Sequence, residues 1–216
     1  MKALLILLLA SCAAVSAATK VVCLGDSITK RGYPEELATL LNLEVINSGV
    51  AGHNSGQGLR RMEKDVLAHQ LDFVVIFFGT NDLRVDSKRA HVPVAKYTEN
   101  LARIIAESRE AGAKVLLCTP PPIAAETYFT RHEKADYEEH GGLPALLASY
   151  RQAAMKLAKD EEIPLVDLNQ LLLDKPNWLS RDGVHPSPEG NTIIARLVAK
   201  ELRPLLPAEH QVPSKD

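Results

Sequence analysis

Few of the motifs that mark metal or nucleotide sites occur in this sequence. Its 216 residues include three cysteines, and none has a second cysteine at the CxxC spacing of a zinc or redox site. The first predicted strand is followed by neither GxGxxG nor GxxxxGKS or GxxxxGKT, which argues against a nucleotide site. The formal net charge of −2 provides no basic surface for nucleic acid or an anionic membrane. We therefore expect no nucleotide or nucleic-acid ligand.

The N-terminus has the layout of a secretory signal peptide. Lys2 precedes an apolar run over residues 3–10, and small residues follow it. This run is too short to cross a bilayer, which takes about 20 residues as a helix. Two processing routes stay open: cleavage after residues 15–17, or lipidation of Cys12 within a lipobox-like LASC segment. We expect a signal segment over residues 1–18 and an exported protein, periplasmic or extracellular, that contacts a membrane only through lipidation of Cys12.

The remaining chain predicts one α/β domain over residues 19–206, followed by a polar, flexible tail over residues 207–216. Short β-branched runs alternate with longer amphipathic stretches, which is typical of βαβ units around a parallel sheet. The predicted strands cover residues 20–24, 43–47, 73–78, 114–119 and 164–168. The predicted helices cover residues 34–41, 58–70, 93–111, 143–161 and 188–205.

Two cysteines remain in the predicted domain. Cys23 and Cys118 each end an apolar strand, where a buried free thiol is the usual occupant. A disulfide between them would require the two strands to be neighbours in the sheet. The sequence leaves that point open.

A long charged connection over residues 120–142 follows the fourth predicted strand. Long loops in compact domains often form lids or binding loops. Its His132-Glu133 and Glu139-His140 pairs suggest a metal site, but the HExxH motif fails because Asp136 stands where the second histidine would be. We therefore predict a solvated loop or helix there and no metal site.

Four polar segments are predicted at the ends of strands, at the edge of the sheet where open α/β proteins bind ligands. They are GDSIT at residues 25–29, NSGVAG at 47–52, GTND at 79–82 and DGVHP at 182–186. Each alone is an ordinary turn, strand exit or helix start. Their joint occurrence predicts that segments far apart in sequence converge on one site.

The residue types in these segments fit nucleophilic catalysis. A serine hydroxyl needs a base within hydrogen-bond reach, and the base needs a partner that fixes its tautomer. Ser27 would be the nucleophile, His185 the base and Asp182 the residue that orients the base.

A tetrahedral intermediate also needs donors aimed at its negative oxygen. Asn81 can offer its side-chain amide, while Gly52 and Ser27 can offer backbone N–H groups. Asp26 and Asp82 are predicted to hold these loops by hydrogen bonds.

Taken together, the four segments resemble the signature blocks of the SGNH hydrolases, the GDSL-type esterases and lipases, over essentially the whole mature chain. The resemblance implies a three-layer α/β/α sandwich with a flavodoxin-like five-stranded parallel sheet, no cofactor, and ester or thioester hydrolysis through an acyl-enzyme. It also assigns the oxyanion hole to Ser27, Gly52 and Asn81. Gly49 could align in place of Gly52, but the residues after Gly52 continue into the next helix as in similar family members.

We predict a serine esterase that removes an acetyl or similarly short acyl group from a carbohydrate. The charged loop over residues 126–139 favours a polar substrate, and export suits extracellular glycans. One alternative is a lysophospholipase or thioesterase acting on longer acyl chains, with Tyr128 or Phe129 lining an acyl pocket. Another is a non-catalytic carbohydrate-binding protein, against which the intact triad argues.

Overall fold

The computed structural model describes residues 19–211, which form an open sheet of five parallel strands. The strand order is β2-β1-β3-β4-β5, so the order reverses beside β1. The strands are β1 (Lys20–Gly25), β2 (Glu44–Gly49), β3 (Phe73–Phe77), β4 (Lys114–Cys118) and β5 (Leu165–Val166). In such a sheet, the crevice beyond the carboxyl ends of β1 and β3 is where ligands bind.

Ten α-helices cover the sheet and its connections in the described part of the chain. Five are α1 (Ser27–Lys30), α2 (Tyr33–Leu41), α3 (Ser55–Leu59), α4 (Met62–Asp65) and α5 (Val94–Glu110). The others are α6 (Ala125–Tyr128), α7 (Lys134–Glu138), α8 (Leu143–Asp160), α9 (Leu168–Leu171) and α10 (Pro188–Leu202).

The hydrophobic core lies in two layers, one on each face of the sheet. Alternate residues of a strand point to opposite faces. Val22 and Leu24 of β1 accordingly pack with the buried side chains of α5 and α8, whereas Val21 and Cys23 pack with those of α2 and α10. All four β1 side chains are fully buried, which explains the continuous apolar runs. The predicted three-layer α/β/α class is confirmed.

The single helix predicted over residues 58–70 is wrong. The chain forms α3, then α4, and then a 3₁₀ turn at Leu67–His69. The break falls at Arg61, whose guanidinium donates to the Gly25 carbonyl oxygen at 2.8 Å and pairs with Asp65 at 3.0 Å. A tertiary contact to the end of β1 therefore overrides the local helical pattern.

Two other predicted boundaries were too long. The fifth strand contains only Leu165–Val166, because its pairing with β4 spans two residue pairs. The last α-helix ends at Leu202, and Arg203–Leu205 form a 3₁₀ turn. Pro204 lies within that turn and has no N–H to continue the helical hydrogen bonds.

Both chain ends continue beyond the described residues. The predicted signal segment, including Cys12, lies outside them, as do residues 212–216 of the predicted tail. The start of that tail has a 3₁₀ turn at Ala208–His210, and the Gln211 amide donates to the Leu206 carbonyl oxygen at 2.7 Å. None of the helices between residues 19 and 211 has the length and apolar character needed to cross a bilayer.

Cys23 and Cys118 are buried free thiols on strands that are not neighbours. Strand β3 lies between β1 and β4, so the two cysteines are two strand spacings apart, roughly 10 Å. A disulfide needs Cα atoms within about 7 Å. Burial raises the pKa of the Cys23 thiol to about 12.

Candidate active site

The turn from β1 into α1 places Ser27 at the carboxyl edge of the sheet. Asp26 caps α1, its Oδ1 accepting the Ile28 N–H at 2.8 Å. The chain turns so tightly that a Cβ on Gly25 would lie 2.0 Å from Thr29 Oγ1 and 2.7 Å from the Phe77 carbonyl oxygen. Glycine is therefore required for the turn that presents Ser27.

A short loop before α10 holds His185 against Asp182. Gly183 has a φ of +76°, a conformation that glycine adopts without strain, and this lets the loop fold back. His185 Nδ1 consequently lies 2.7 Å from Asp182 Oδ2. Ser187 ends the loop by capping α10, its Oγ accepting the Gly190 N–H at 2.9 Å.

The Asp182 carboxylate is ionised and has a fixed orientation. Its Oδ1 accepts the N–H groups of Val184 at 3.0 Å and His185 at 2.9 Å, and the Ser180 hydroxyl at 2.8 Å. Partial burial acts to raise the pKa of Asp182, but these hydrogen bonds hold it well below its ordinary value. The carboxylate thus keeps the proton of His185 on Nδ1 and leaves Nε2 as an acceptor.

Ser27 and the His185 loop meet across the sheet edge. Ser27 Oγ lies 2.8 Å from His185 Nε2, although the two residues are 158 positions apart. The structure thus brings Ser27, His185 and Asp182 into one continuous chain of hydrogen bonds. This is the arrangement in which a histidine can take a proton from a serine and hold it.

The three residues predicted to form an oxyanion hole line one cavity, of about 610 Å³, together with His185. Gly52 has a φ of +77°, and no residue between 19 and 211 accepts a hydrogen bond from its N–H. The Asn81 amide donates to the His53 carbonyl oxygen at 3.0 Å and to Asp26 at 3.3 Å. Donors from three different segments of the chain therefore line the cavity that contains Ser27.

Gly49, the other glycine that could align at this position, lies elsewhere. Its N–H donates to Asn47 Oδ1 at 3.0 Å, and a Cβ at this position would lie 2.2 Å from the Lys30 nitrogen. Gly49 thus allows β2 to pack closely against α1. This geometry favours Gly52 over Gly49 as the oxyanion donor.

Two buried carboxylates hold the loops of the site. Asp26 accepts from Asn81, whereas Asp82 accepts from the Ser55 N–H at 2.9 Å and from the Gly79 N–H at 3.1 Å. Burial raises the pKa of Asp26 to about 7 and that of Asp82 to about 6, despite the opposing effect of these hydrogen bonds. The bonds link the ends of β1 and β3 to the start of α3.

One wall of the cavity comes from the long connection over residues 120–142. Tyr137 donates its hydroxyl to Asp86 Oδ1 at 2.7 Å and lies 2.6 Å from the Tyr128 hydroxyl. His132 stacks on Tyr128 with 3.9 Å between ring centroids, and its Nδ1 lies 2.7 Å from Asp86 Oδ2. The connection is therefore a packed wall with two short helices, and the predicted solvated loop or helix there is only partly right.

Two interpretations from the sequence concern residues of this wall: a metal site at His132, and an acyl pocket lined by Tyr128 or Phe129. His132 is engaged with Asp86, and between residues 19 and 211 no three His, Cys, Asp or Glu side chains are grouped as metal ligands. Tyr128 lines the cavity, whereas Phe129 packs against the hydrophobic core.

Asp86 makes this wall sensitive to acid. Although partial burial acts to raise the pKa of Asp86, hydrogen bonds from Arg84, His132 and Tyr137 lower it to about 2. A lowered pKa contributes stability above the unfolded value of about 3.9, and that contribution is lost as the pH falls through the folded value.

We expect Asp86→Asn to lower the free energy of unfolding by about 2 kcal/mol at neutral pH. Urea unfolding of the variant and wild type from about pH 7 to about pH 3 measures the difference, which should shrink below about pH 4. Asp136→Asn in α7 is the matched control, because Asp136 has no ion pair with any residue between 19 and 211. A difference that stays constant down to pH 3 would mean that the charge of Asp86 does not stabilise the wall.

Several cationic side chains of the cavity were not predicted from the sequence. They are Lys30, Arg31, Arg84 and Arg131. No local motif marks them, because exposed arginines and lysines are common on any surface. Arg31 and Arg131 nevertheless contact the Asp182 loop: Arg31 lies 3.7 Å from Asp182 Oδ2, and Arg131 donates to the Asp182 carbonyl oxygen.

Comparison with known proteins decides the family. Residues 23–193 match the GDSL-like lipase/acylhydrolase family, which is most of the chain. The chain belongs to this family. It is therefore a carboxylic ester hydrolase of the GDSL/SGNH type, and the predicted enzyme class is confirmed.

Individual relatives agree with this assignment. The chain is 30% identical to the uncharacterized lipoprotein YqeF of Bacillus subtilis, over 81% of this chain and 85% of YqeF. It is also 30% identical to an arylesterase of Vibrio mimicus, over 92% of this chain and 95% of that protein. The crystal structure of the acetyl xylan esterase AlAXEase superposes with a TM-score of 0.69 and 29% identity, covering 84% of this chain and 98% of that one.

Proposed function

We propose that this GDSL hydrolase removes acetyl or similarly short acyl groups from carbohydrate esters, with Ser27, His185 and Asp182 as its catalytic triad. The proposal rests on one observation: the hydrogen-bonded chain from Asp182 through His185 to Ser27 opens into a cavity most of whose lining residues carry a polar or charged group.

In the first half of the proposed reaction, Ser27 Oγ attacks the ester carbonyl carbon while its proton passes to His185 Nε2. The electron pair of the carbonyl π bond moves onto the carbonyl oxygen, which becomes the oxyanion. The carbonyl then re-forms as the bond between the carbonyl carbon and the alcohol oxygen breaks, and the alcohol departs with the proton from His185. In the second half, water loses a proton to His185 and attacks the acyl-enzyme. Ser27 departs with that proton, and the acid is released.

The oxyanion would receive hydrogen bonds from the N–H groups of Ser27 and Gly52 and from the Asn81 amide. The Gly52 N–H has no acceptor within residues 19–211, so its donation breaks no existing bond there. The Asn81 amide would exchange its longer contact, the 3.3 Å bond to Asp26, for the oxyanion.

The lining of the cavity supports a short acyl group. Its lining includes three apolar or aromatic side chains, Ala51, Tyr128 and Val184, whereas its other side chains end in polar or charged groups. Burial stabilises a bound chain by about 0.8 kcal/mol per methylene, so a long-chain lipase needs an extended apolar channel. The likeness to the acetyl xylan esterase AlAXEase supports the same interpretation.

A p-nitrophenyl ester series from acetate to palmitate tests the acyl length, with acetylated xylo-oligosaccharides as glycan substrates. We expect kcat/KM to be highest for the acetate ester and to be at least about tenfold lower for the octanoate ester. We also expect the enzyme to release acetate from the glycan. A maximum at palmitate would favour the lysophospholipase or thioesterase alternative. No hydrolysis of any ester would favour a carbohydrate-binding protein.

We expect Asn81→Ala to lower kcat about 100- to 1000-fold with a small change in KM, because the lost donor acts mainly on the transition state. Steady-state kinetics with p-nitrophenyl acetate measure this effect. Asn169→Ala in α9 is the matched control, because Asn169 does not line the cavity. An unchanged kcat in a folded Asn81→Ala protein would remove Asn81 from the proposed oxyanion hole.

We also propose that the protein is exported through residues 1–18 and lipidated at Cys12. The likeness to the lipoprotein YqeF supports this interpretation. Mass spectrometry of the mature N-terminus distinguishes a lipidated Cys12 from cleavage after residue 17.

A further inference from the structure

The cavity over Ser27 adjoins a second one. A smaller cavity of about 290 Å³ shares Ala51, Gly52 and Arg84 with the cavity of about 610 Å³. The two together, called here the active-site groove, extend from the His185 loop past Gly52 to Arg89. A groove of this kind can hold more than the acyl group and can contact several groups of the alcohol.

The active-site groove has charges of one sign. Its lining includes five cationic residues, which are Lys30, Arg31, Arg84, Arg89 and Arg131. No aspartate or glutamate lines either cavity within residues 19–211. The whole chain has slightly more acidic than basic residues, 27 against 25, so its overall composition does not explain this bias.

Most of this positive charge is not neutralised nearby. Arg84 pairs with Asp86 at 3.2 Å, and Arg31 lies 3.7 Å from Asp182, a carboxylate already bound by His185. Lys30, Arg89 and Arg131 have no carboxylate within 4.0 Å among the described residues. A cleft lined by charges of one sign concentrates the electrostatic field and attracts ligands of the opposite sign.

We propose that the carbohydrate bound in the active-site groove is acidic: the sugar with the acyl ester, or its neighbour, has a carboxylate group. Lys30 and Arg131 would bind this carboxylate beside Ser27, and Arg89 would bind a second one further along the groove. Arginine presents paired N–H donors that match a carboxylate, and the exposed lysine adds a mobile charge. This inference rests on the proposed function, because it names the alcohol that the esterase releases.

Two aryl acetates of the same size test the charge preference. 4-Acetoxybenzoate has a carboxylate where 4-acetoxybenzamide has a neutral amide. We expect kcat/KM, normalised to the hydroxide-catalysed rate of each ester, to be about tenfold higher for the benzoate, the effect of one charge-assisted hydrogen bond. Sodium chloride at about 0.5 M should lower the normalised benzoate-to-benzamide ratio of kcat/KM towards one, because salt screens exposed charges.

Variants locate the preference within the groove. Lys30→Gln and Arg131→Gln should each lower the ratio of benzoate to benzamide kcat/KM several-fold. Lys200→Gln in α10 should leave the ratio unchanged, because Lys200 is exposed and lies outside the groove. An acetylated oligogalacturonide should likewise be deacetylated faster than an acetylated xylo-oligosaccharide of equal length.

The outcomes separate this inference from the proposed function. Equal normalised kcat/KM for the two aryl acetates, with no effect of salt, would overturn the acidic substrate and leave the esterase intact. A preference that persists in both groove variants would overturn the assigned residues and the inference with them. No hydrolysis of either acetate by the wild type would overturn the proposed function itself.

Discussion

Replacement of Ser27 by alanine is expected to lower kcat on p-nitrophenyl acetate by about 10⁵- to 10⁶-fold, as for other serine hydrolases that lose the nucleophile. The hydroxyl lies 2.8 Å from His185 Nε2, and the proposed acyl-enzyme forms on that oxygen. Residual activity above water would come from the oxyanion donors alone. Steady-state kinetics, with intact-protein mass spectrometry after treatment with a fluorophosphonate, measure the loss of rate and of covalent labelling together.

Ser149→Ala is the matched control for this variant. Ser149 lies in α8, where its hydroxyl donates to the Leu146 carbonyl oxygen at 2.7 Å, and it lines neither cavity of the active-site groove. This variant should keep wild-type kinetics and one fluorophosphonate adduct. If a folded Ser27→Ala protein still formed the adduct and hydrolysed the ester, a different residue would be the nucleophile.

Substitution of Asp182 by asparagine should lower kcat by about 10⁴-fold while leaving the fold intact. Asp182 Oδ2 accepts from His185 Nδ1 at 2.7 Å, and its Oδ1 accepts two backbone N–H groups. An asparagine can keep the backbone bonds through its oxygen, but its NH₂ then faces Nδ1. The histidine responds by moving its proton to Nε2, so it can no longer accept the proton of Ser27.

The pH profile and a matched variant distinguish this effect from simple loss of structure. Asp174→Asn, at an exposed position after α9, should keep wild-type kinetics and unfolding. Asp182→Asn should regain part of its activity at high pH, where hydroxide can replace the base. A loss of less than about tenfold would mean that Asp182 does not set the tautomer of His185.

The sheet was predictable because its strands are buried on both faces. Val21, Val22, Cys23 and Leu24 are all fully buried, and such a run has few alternatives to a central strand. The short extent of β5 was not predictable, because it depends on the register of β5 against β4. Only Leu117 and Cys118 of β4 have a partner in β5. The break near Arg61 was missed for a similar reason, since it depends on a bond to Gly25, 36 residues away.

The motifs made part of the geometry of the proposed triad predictable. Asp182 and His185 are three residues apart with a glycine between them, so local structure alone can join them. The approach of Ser27 follows from its place at the end of β1. Whether these residues perform catalysis, and whether Gly52 and Asn81 stabilise the oxyanion, stays a prediction for the experiments above.

The wall and the charge of the active-site groove could not be predicted. Tyr137 and Asp86 are 51 residues apart and Arg131 and Asp182 are also 51 residues apart, and no periodicity marks either pair. Arginines and lysines on loops are ordinarily exposed, so their convergence on one groove becomes visible only in three dimensions.

The order of the proposed triad along the chain has a consequence for biosynthesis. Ser27 follows the first strand, whereas His185 lies three residues before the start of α10. This helix packs against α2, and its Asn191 donates to the Arg31 carbonyl oxygen at 3.0 Å. A ribosome must therefore release nearly the whole domain before His185 can reach Ser27. A partly synthesised chain would have Ser27 without its proposed base, so the proposed mechanism predicts hydrolytic activity only when the last helix docks. Regain of activity during refolding would accordingly report the completion of the whole fold.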